Sequence, residues 1–400
     1  MSQSAHPGRP GGSPGDPARP AATGRPAGAP LHGGDPSVLR RLNSAAVLRA
    51  LRDGGEPTLS ELAKRVGLSR PTTEGVLGEL AERGLVAEVA PRAGHGLGRP
   101  ARRYRFRGEA GYALGVEIDA HWTQLFLADL TGRVVGSHRL DLDVSLAASD
   151  RLAAVRAAVK TCLAEAGVAR SLLWAVGVGT PGVIDPDGTI AFCTVVPGWQ
   201  GLGLGRELGR SFSCPVLVEN DANLAVMAER WRGVARDVDD VVAVQAGLHT
   251  GAGAILGGRL HRGRWGAAGE VGMLPELGWR DTTAGLIGES HPELGTGRAA
   301  ERVLTAAAQG DPRAAALVRQ LARRMARGVA VMVLALDPEM VVVGGALAGD
   351  RLVAELREQV RPLTLSPTRI EVSTLGDEAV GLGAVRLALD RIDEDLFRID

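Results

Sequence analysis

Lysine is almost absent from these 400 residues: Lys64 and Lys160 are the only two, and arginine carries the rest of the positive charge. With the abundance of alanine and glycine, that bias reads as a GC-rich coding background before it reads as function. Cysteine is scarce as well. Cys162, Cys193 and Cys214 are odd in number and lack CxxC spacing, which argues against a disulfide framework and against a cysteine-based zinc cluster. The N-terminus lacks the charged-then-apolar layout of a secretory signal. The longest apolar stretch, Gly328 to Gly349, is broken by Asp337-Pro338-Glu339, too polar an interruption for a bilayer span. A cytoplasmic protein without membrane contact is the expectation. Net charge is absent too, with 46 Lys and Arg against 46 Asp and Glu, so a basic surface for nucleic acid has to be local.

What is present suits a globular chain of two or three compact units: 45% hydrophobic and 23% charged residues over a length too great for one small domain. Residues 1–34 are dominated by Gly, Pro, Ala and Ser and cannot bury enough apolar surface to offset the entropy of ordering. They read as a disordered tail, either a dispensable extension or a DNA-binding arm.

Residues 35–107 have a different texture. Val38, Leu39, Leu42, Val47, Leu48 and Leu51 recur at helical spacing until Asp53-Gly54-Gly55 breaks the pattern. Thr58 with Glu61 three residues on predicts a capping box, opening a helix whose inner stripe is Leu59, Leu62, Ala63 and Val66. Gly67 closes it. Ser69 then caps a third helix running to about Arg83, with Val76, Leu77 and Leu80 inward, and Leu85 to Val89 is β-prone. Helix, helix, tight turn, helix and strand make the plan of a winged helix-turn-helix. The stretch from Pro91 to Gly108 suits a wing and a linker.

This segment is where the basic charge sits: 14 Arg and Lys between residues 38 and 107, opposed by seven carboxylates. Neutralised phosphates supply most sequence-independent affinity for DNA. Ser69, Arg70, Pro71, Thr72 and Thr73 occupy the N-terminal turns of the third helix, the part that meets base edges in a major groove. Arg99, Arg102 and Arg103 are placed to reach the backbone or minor groove from the wing. The competing reading is a three-helix protein-interaction module with solvated arginines.

Residues 108–400 alternate strands and helices, which predicts an α/β architecture. Strands are expected at Tyr112–Ile118, Thr123–Asp129, Arg133–His138, Trp174–Val178, Pro215–Glu219, Val241–Ala246, Gly253–Leu256 and Met340–Val343. Helices are expected at Asp150–Gly167, Ala222–Trp231, Pro312–Leu336 and Gly381–Ile392. The second strand pair echoes the first, as two related halves around a cleft would. Glycine-rich junctions fall where strands end: Gly177 to Asp185, Glu219-Asn220-Asp221-Ala222-Asn223, Gly251-Ala252-Gly253, Gly266 to Gly272, and Val343-Gly344-Gly345-Ala346. Strand ends of open α/β sheets are where ligands bind.

In their order and spacing these junctions resemble the ROK family of repressors and sugar kinases, from about Ala113 to Ala388. The resemblance implies a two-lobed actin/hexokinase-like ATPase fold and, with a winged helix in front, the family's xylose- and N-acetylglucosamine-operon repressor branch. It further implies that Asp221 matches the kinases' proton acceptor, and that Asn220 and Glu270 match residues hydrogen-bonding the sugar. A carboxylate beside a hydroxyl suits a general base, but Asn, Asp and Glu around one cavity also suit a polyol without catalysis.

The departures decide between these uses. Family kinases carry Asp-x-Gly-x-Thr as a phosphate loop; the corresponding stretch is Glu117-Ile118-Asp119-Ala120-His121, without the glycine or hydroxyl and with a carboxylate that repels phosphate. The His after Gly-Glu-x-Gly is replaced by Met273, and Leu277 to Glu289 holds none of the family's zinc cysteines. The expectation is therefore a non-enzyme with no cofactor and no metal: a DNA-binding transcriptional repressor of carbohydrate genes, a homodimer or higher homo-oligomer on double-stranded operator DNA, answering to a sugar or sugar phosphate. The alternatives are an ATP-dependent sugar kinase with a fused DNA module, and a regulator whose cleft binds nothing.

Overall fold

The computed structural model describes residues 36–90, 101–247, 250–279 and 296–397. The tail at 1–34 and Arg99 lie outside them, as does most of Leu277 to Glu289.

Three helices and a hairpin form the head: α1 (Pro36–Arg52), α2 (Leu59–Val66), α3 (Arg70–Glu82), β1 (Val86–Val89) and β2 (Arg103–Phe106). Capping sets where α2 and α3 begin. Thr58 accepts the Glu61 amide while Glu61 accepts the Thr58 amide, and Gly67 ends α2 in the left-handed region at φ 68°. The inward stripe holds for Val47, Leu48, Leu51, Leu62, Val76, Leu77 and Leu80, all buried. Leu39 and Leu42 do not join it, being 54% and 42% exposed on the first turns of α1. β1 pairs antiparallel with β2, Val86 opposite Phe106, and this second strand of the wing is absent from the sequence expectation.

The body is built from two sheets of like topology. In the first, β3 (Tyr112–Ile118), β4 (Trp122–Asp129) and β5 (Val134–Asp141) form an antiparallel meander, followed after α4 (Ala148–Glu165) by β6 (Leu173–Thr180) parallel to β3. A small hairpin, β7 (Val183–Ile184) and β8 (Ile190–Phe192), and a short α5 (Leu204–Gly209) lead to β9 (Val216–Asn220), parallel to β6. The strand order is β5-β4-β3-β6-β9.

After α6 (Asp221–Arg232) the plan repeats with β10 (Val241–Gln245), β11 (Gly251–Leu256) and β12 (Arg259–Leu260). Then come α7 (Thr296–Ala308), α8 (Pro312–Leu336), β13 (Met340–Gly344), α9 (Asp350–Val360), β14 (Arg369–Val372) and α10 (Ala379–Leu396). This sheet runs β12-β11-β10-β13-β14, with β10, β13 and β14 mutually parallel. The echo between halves is thus a repeat of strand order. Among the described residues no helix is long and apolar enough to cross a membrane.

Two helices join the lobes. α10 lies on the first sheet, α6 packs on the strands of the second, and the two cross closely. Gly383 makes the crossing possible, because a Cβ there would sit 1.9 Å from the Leu224 carbonyl oxygen. Each lobe has its own core: α4 with β3, β4 and β6 in the first, α8 and α9 with β10 and β13 in the second.

Candidate functional site

At the head, Ser69 caps α3 by accepting the Thr72 amide at 3.2 Å, and the two hydroxyls lie 2.7 Å apart. Ser69, Arg70, Pro71 and Thr72 are exposed and project from the first turn of α3. Thr73 is a correction. It is fully buried, its hydroxyl donating to the Ser69 carbonyl at 2.9 Å, so it supports the turn from inside.

The wing arginines divide in the same way. Arg102 is exposed beside Glu88 at 3.4 Å. Arg103 donates to the Glu56 carbonyl at 2.6 Å, lies 3.9 Å from Glu61, and its backbone bridges to Thr58. It clamps the wing to the start of α2 rather than reaching outward, because the β2 register carries it over that helix end.

In the body, the β3–β4 loop carries the degenerate phosphate motif. Two of its amides are already used. Asp119 N–H donates to the Trp122 carbonyl at 2.9 Å, and His121 N–H donates to the carboxylate of Asp119 itself at 3.0 Å. Behind the loop, the fully buried Arg151 of α4 donates to the Asp119 and Ala120 carbonyls, both at 2.9 Å, and to those of Asp143 and Val144 at 3.1 and 3.4 Å. The loop is pinned by its carbonyls and neutralised by its own side chain.

Glu117, at the end of β3, is 6% exposed, and one carboxyl oxygen accepts the Trp122 indole N–H at 3.3 Å. The other has no partner among the described residues. Burial, then the charge of Asp119, pushes this carboxyl up to about 8, so it holds a proton at neutral pH.

In the same sheet, Asn220 ends β9 and caps α6, accepting the Asn223 amide at 3.1 Å and donating to the Gly182 carbonyl at 3.0 Å. Much of its hydrogen-bonding capacity is therefore spent on the fold. Asp221 is half-buried and accepts the Ala222 amide at 2.8 Å. Burial first, and then the charges of Asp119 and Glu270, push its carboxyl up to about 6. Burial also raises Glu270, which follows Gly269 at φ 91°, a left-handed turn where a Cβ would meet the Ala252 carbonyl oxygen at 2.2 Å. Asp221 and Glu270 thus share one cleft with the loop at Asp119. Among the described residues no group of three or more His, Cys, Asp or Glu is arranged to hold a metal.

The supporting roles of Thr180, Trp199, Glu219 and Arg262 leave no mark in the sequence reading. Thr180 donates to the Ile118 carbonyl at 3.0 Å and accepts the indole N–H of the buried Trp199 at 2.8 Å, tying the glycine-rich junction to the phosphate loop. Glu219 accepts from Asn220 N and Asn223 Nδ2, both at 2.9 Å, and pairs with Arg262. Buried carboxylates and cross-strand hydroxyls of this kind leave no local sequence signal.

Chemically, Asp119, Asp221 and Glu270 present carboxyl groups to one another. A neutral polyol can hydrogen-bond to Asp221 and Glu270, whereas a phosphate would meet their field and that of Asp119.

Comparison with known proteins gives the family and the fold. A model of the ROK family matches residues 113–277 and 291–391, and one of the IclR helix-turn-helix domain matches residues 42–90. Over 398 residues the chain is 24% identical to the xylose repressor of Caldicellulosiruptor bescii, covering 89% of this chain and 97% of that one. It is 26% identical to the DNA-binding transcriptional dual regulator NagC of Escherichia coli, over 78% and 82% of the two chains. Among solved structures, a ROK family transcriptional regulator described as a homologue of Escherichia coli MLC superposes over 90% of this chain and 98% of its own, with TM-score 0.69 and 21% identity. A ROK family glucokinase of Streptomyces griseus, with glucose and AMPPNP bound, covers 70% of this chain with TM-score 0.59 and 26% identity.

Proposed function

The chain belongs to the ROK family, and from that premise we propose that it is a DNA-binding transcriptional repressor whose kinase-like cleft senses a sugar and transfers no phosphate. One observation carries the reading: the Asp119 carboxylate occupies the His121 amide in the loop that would hold phosphate. Phosphoryl transfer depends on positioning and charge stabilisation, and this loop offers a negative side chain in place of free amides. The relatives named as repressors and regulators support the same assignment.

On this reading α3 enters the major groove with Ser69, Arg70, Pro71 and Thr72, and Arg102 contacts the backbone from the wing. The protein acts as a homodimer, one head per half-site. The effector is a neutral sugar held by Asp221 and Glu270. A ligand that favours one lobe arrangement shifts the heads through differential affinity. Two assays test this together. Sequencing of genomic fragments retained by the purified protein should give discrete sites beside carbohydrate genes. A coupled ATP-turnover assay over a panel of hexoses should stay at background; turnover at the rate of ordinary kinases overturns the reading.

A further inference from the structure

A second cavity, of about 1020 Å³, lies away from the sugar cleft, where the head meets the body. It is bounded by α1 of the head, the C-terminal halves of α6 and α10, and the β11–β12 hairpin of the second lobe. That volume suits a small molecule. Its walls hold seven arginines and three carboxylates, all three on α10.

Most of those arginines are already satisfied. Arg52 pairs with Asp393 at 2.6 Å, Arg386 shares Asp393 at 3.2 Å, and Arg230 pairs with Asp239 at 2.7 Å. Arg49 and Arg259 are different. Both are exposed, and among the described residues neither has a carboxylate partner. They enter from opposite bodies, Arg49 from the head and Arg259 from the second lobe. The same walls hold Trp231, Leu260 and Phe397, with the Arg49 guanidinium 4.5 Å above the Phe397 ring. Two guanidiniums without a carboxylate partner among the described residues, in a cavity that also offers aromatic surface, are a seat for a phosphate carried on a small organic body, since the planar fork matches phosphate oxygens bidentately.

We propose that this junction is an anion site for a phosphorylated small metabolite, bridged between Arg49 of the head and Arg259 of the body. The bridge would draw head and second lobe together beside the Arg52–Asp393 pair that already ties α1 to α10. Communication with the cleft is built in. Arg262 lines this cavity and pairs with Glu219, whose carboxylate also holds Asn220 and Asn223. The charge arrangement is complementary: carboxyl groups in the cleft disfavour phosphate, and arginines at the junction favour it.

The test is calorimetric titration of the full chain with inorganic pyrophosphate, a hexose 6-phosphate and a nucleoside diphosphate, with sodium chloride at matched ionic strength as the control. Saturable binding is expected for at least one of the three. Arg259→Ala should weaken it on the order of tenfold, and Arg259→Lys, which keeps the charge but loses the fork, by less. Arg259 is exposed and holds no partner, so both variants should keep the wild-type circular dichroism. Whichever organic phosphate binds more tightly identifies the source of the group. Responses no larger than the salt control, or equal affinity in Arg259→Ala, overturn the proposal.

Discussion

The carboxylate of Asp119 accepts the amide hydrogen of His121, two residues along, at 3.0 Å, so the turn between β3 and β4 is closed by its own negative charge. A phosphate oxygen at this turn would meet a carboxylate and find the His121 amide taken. Asp119→Gly should remove the carboxylate and free the amide. With the junction arginine removed by Arg259→Ala in both proteins, weak binding of a non-hydrolysable ATP analogue should then be detectable by calorimetry in the Asp119→Gly protein and undetectable in the one that keeps Asp119. Equal binding by both proteins would mean the loop is not what excludes nucleotide.

Glu117 gives a pH signature. Its folded-state value of about 8 lies above the ordinary 4.5, so the folded protein holds a proton that the unfolded chain releases between those limits. The associated stability is present in full below about 4.5 and is lost as pH rises towards 8, at about 1.4 kcal/mol per pH unit. Glu117→Gln, which cannot ionise, should flatten this part of the denaturation profile and exceed the wild type in stability above pH 8. An unchanged slope would place the proton elsewhere.

Arg151 makes four bonds to backbone carbonyls from a fully buried position. Arg151→Met takes that donor from the Asp119, Ala120 and Val144 carbonyls, while the Asp143 carbonyl keeps the Leu146 amide, and the loss should be on the order of 3–5 kcal/mol by urea denaturation. A loss under about 1 kcal/mol would show that the loop carries its own weight.

Asn220 and Asp221 should separate by mutation, since only the first caps α6. Asn220→Ala should cost about 1–2 kcal/mol of stability. Asp221→Asn should leave both stability and DNA affinity near wild type and blunt the thermal shift produced by a bound sugar. Loss of DNA binding together with stability in Asp221→Asn would make Asp221 structural.

These contrasts mark what could be read from the chain. The caps of α2 and α3 are legible because Thr58, Glu61 and Ser69 act on residues three positions away. Strand positions followed from apolar runs. Thr73 was misplaced although the helical period gives it away: it lies three, four and seven residues before Val76, Leu77 and Leu80, on the buried stripe. β2 and the inward turn of Arg103 depend on pairing across residues 91–100, where glycine and arginine erase any alternation. The Asn220 cap on Asn223 is as local as those of Thr58 and Ser69, whereas its bond to the Gly182 carbonyl becomes visible only once β9 and β6 are aligned. The burial of Glu117 and the reach of Arg151 are products of tertiary packing between β3, β4 and α4.

The most direct test is the affinity of wild-type and Arg70→Ala proteins for a duplex recovered by genomic selection, measured against salt. The wild type should bind it at least 1,000-fold more tightly than random duplex at moderate salt. Arg70→Ala should lose on the order of tenfold or more while melting at the wild-type temperature. A wild-type protein indifferent to duplex sequence, with Arg70→Ala equal to it, would contradict the account.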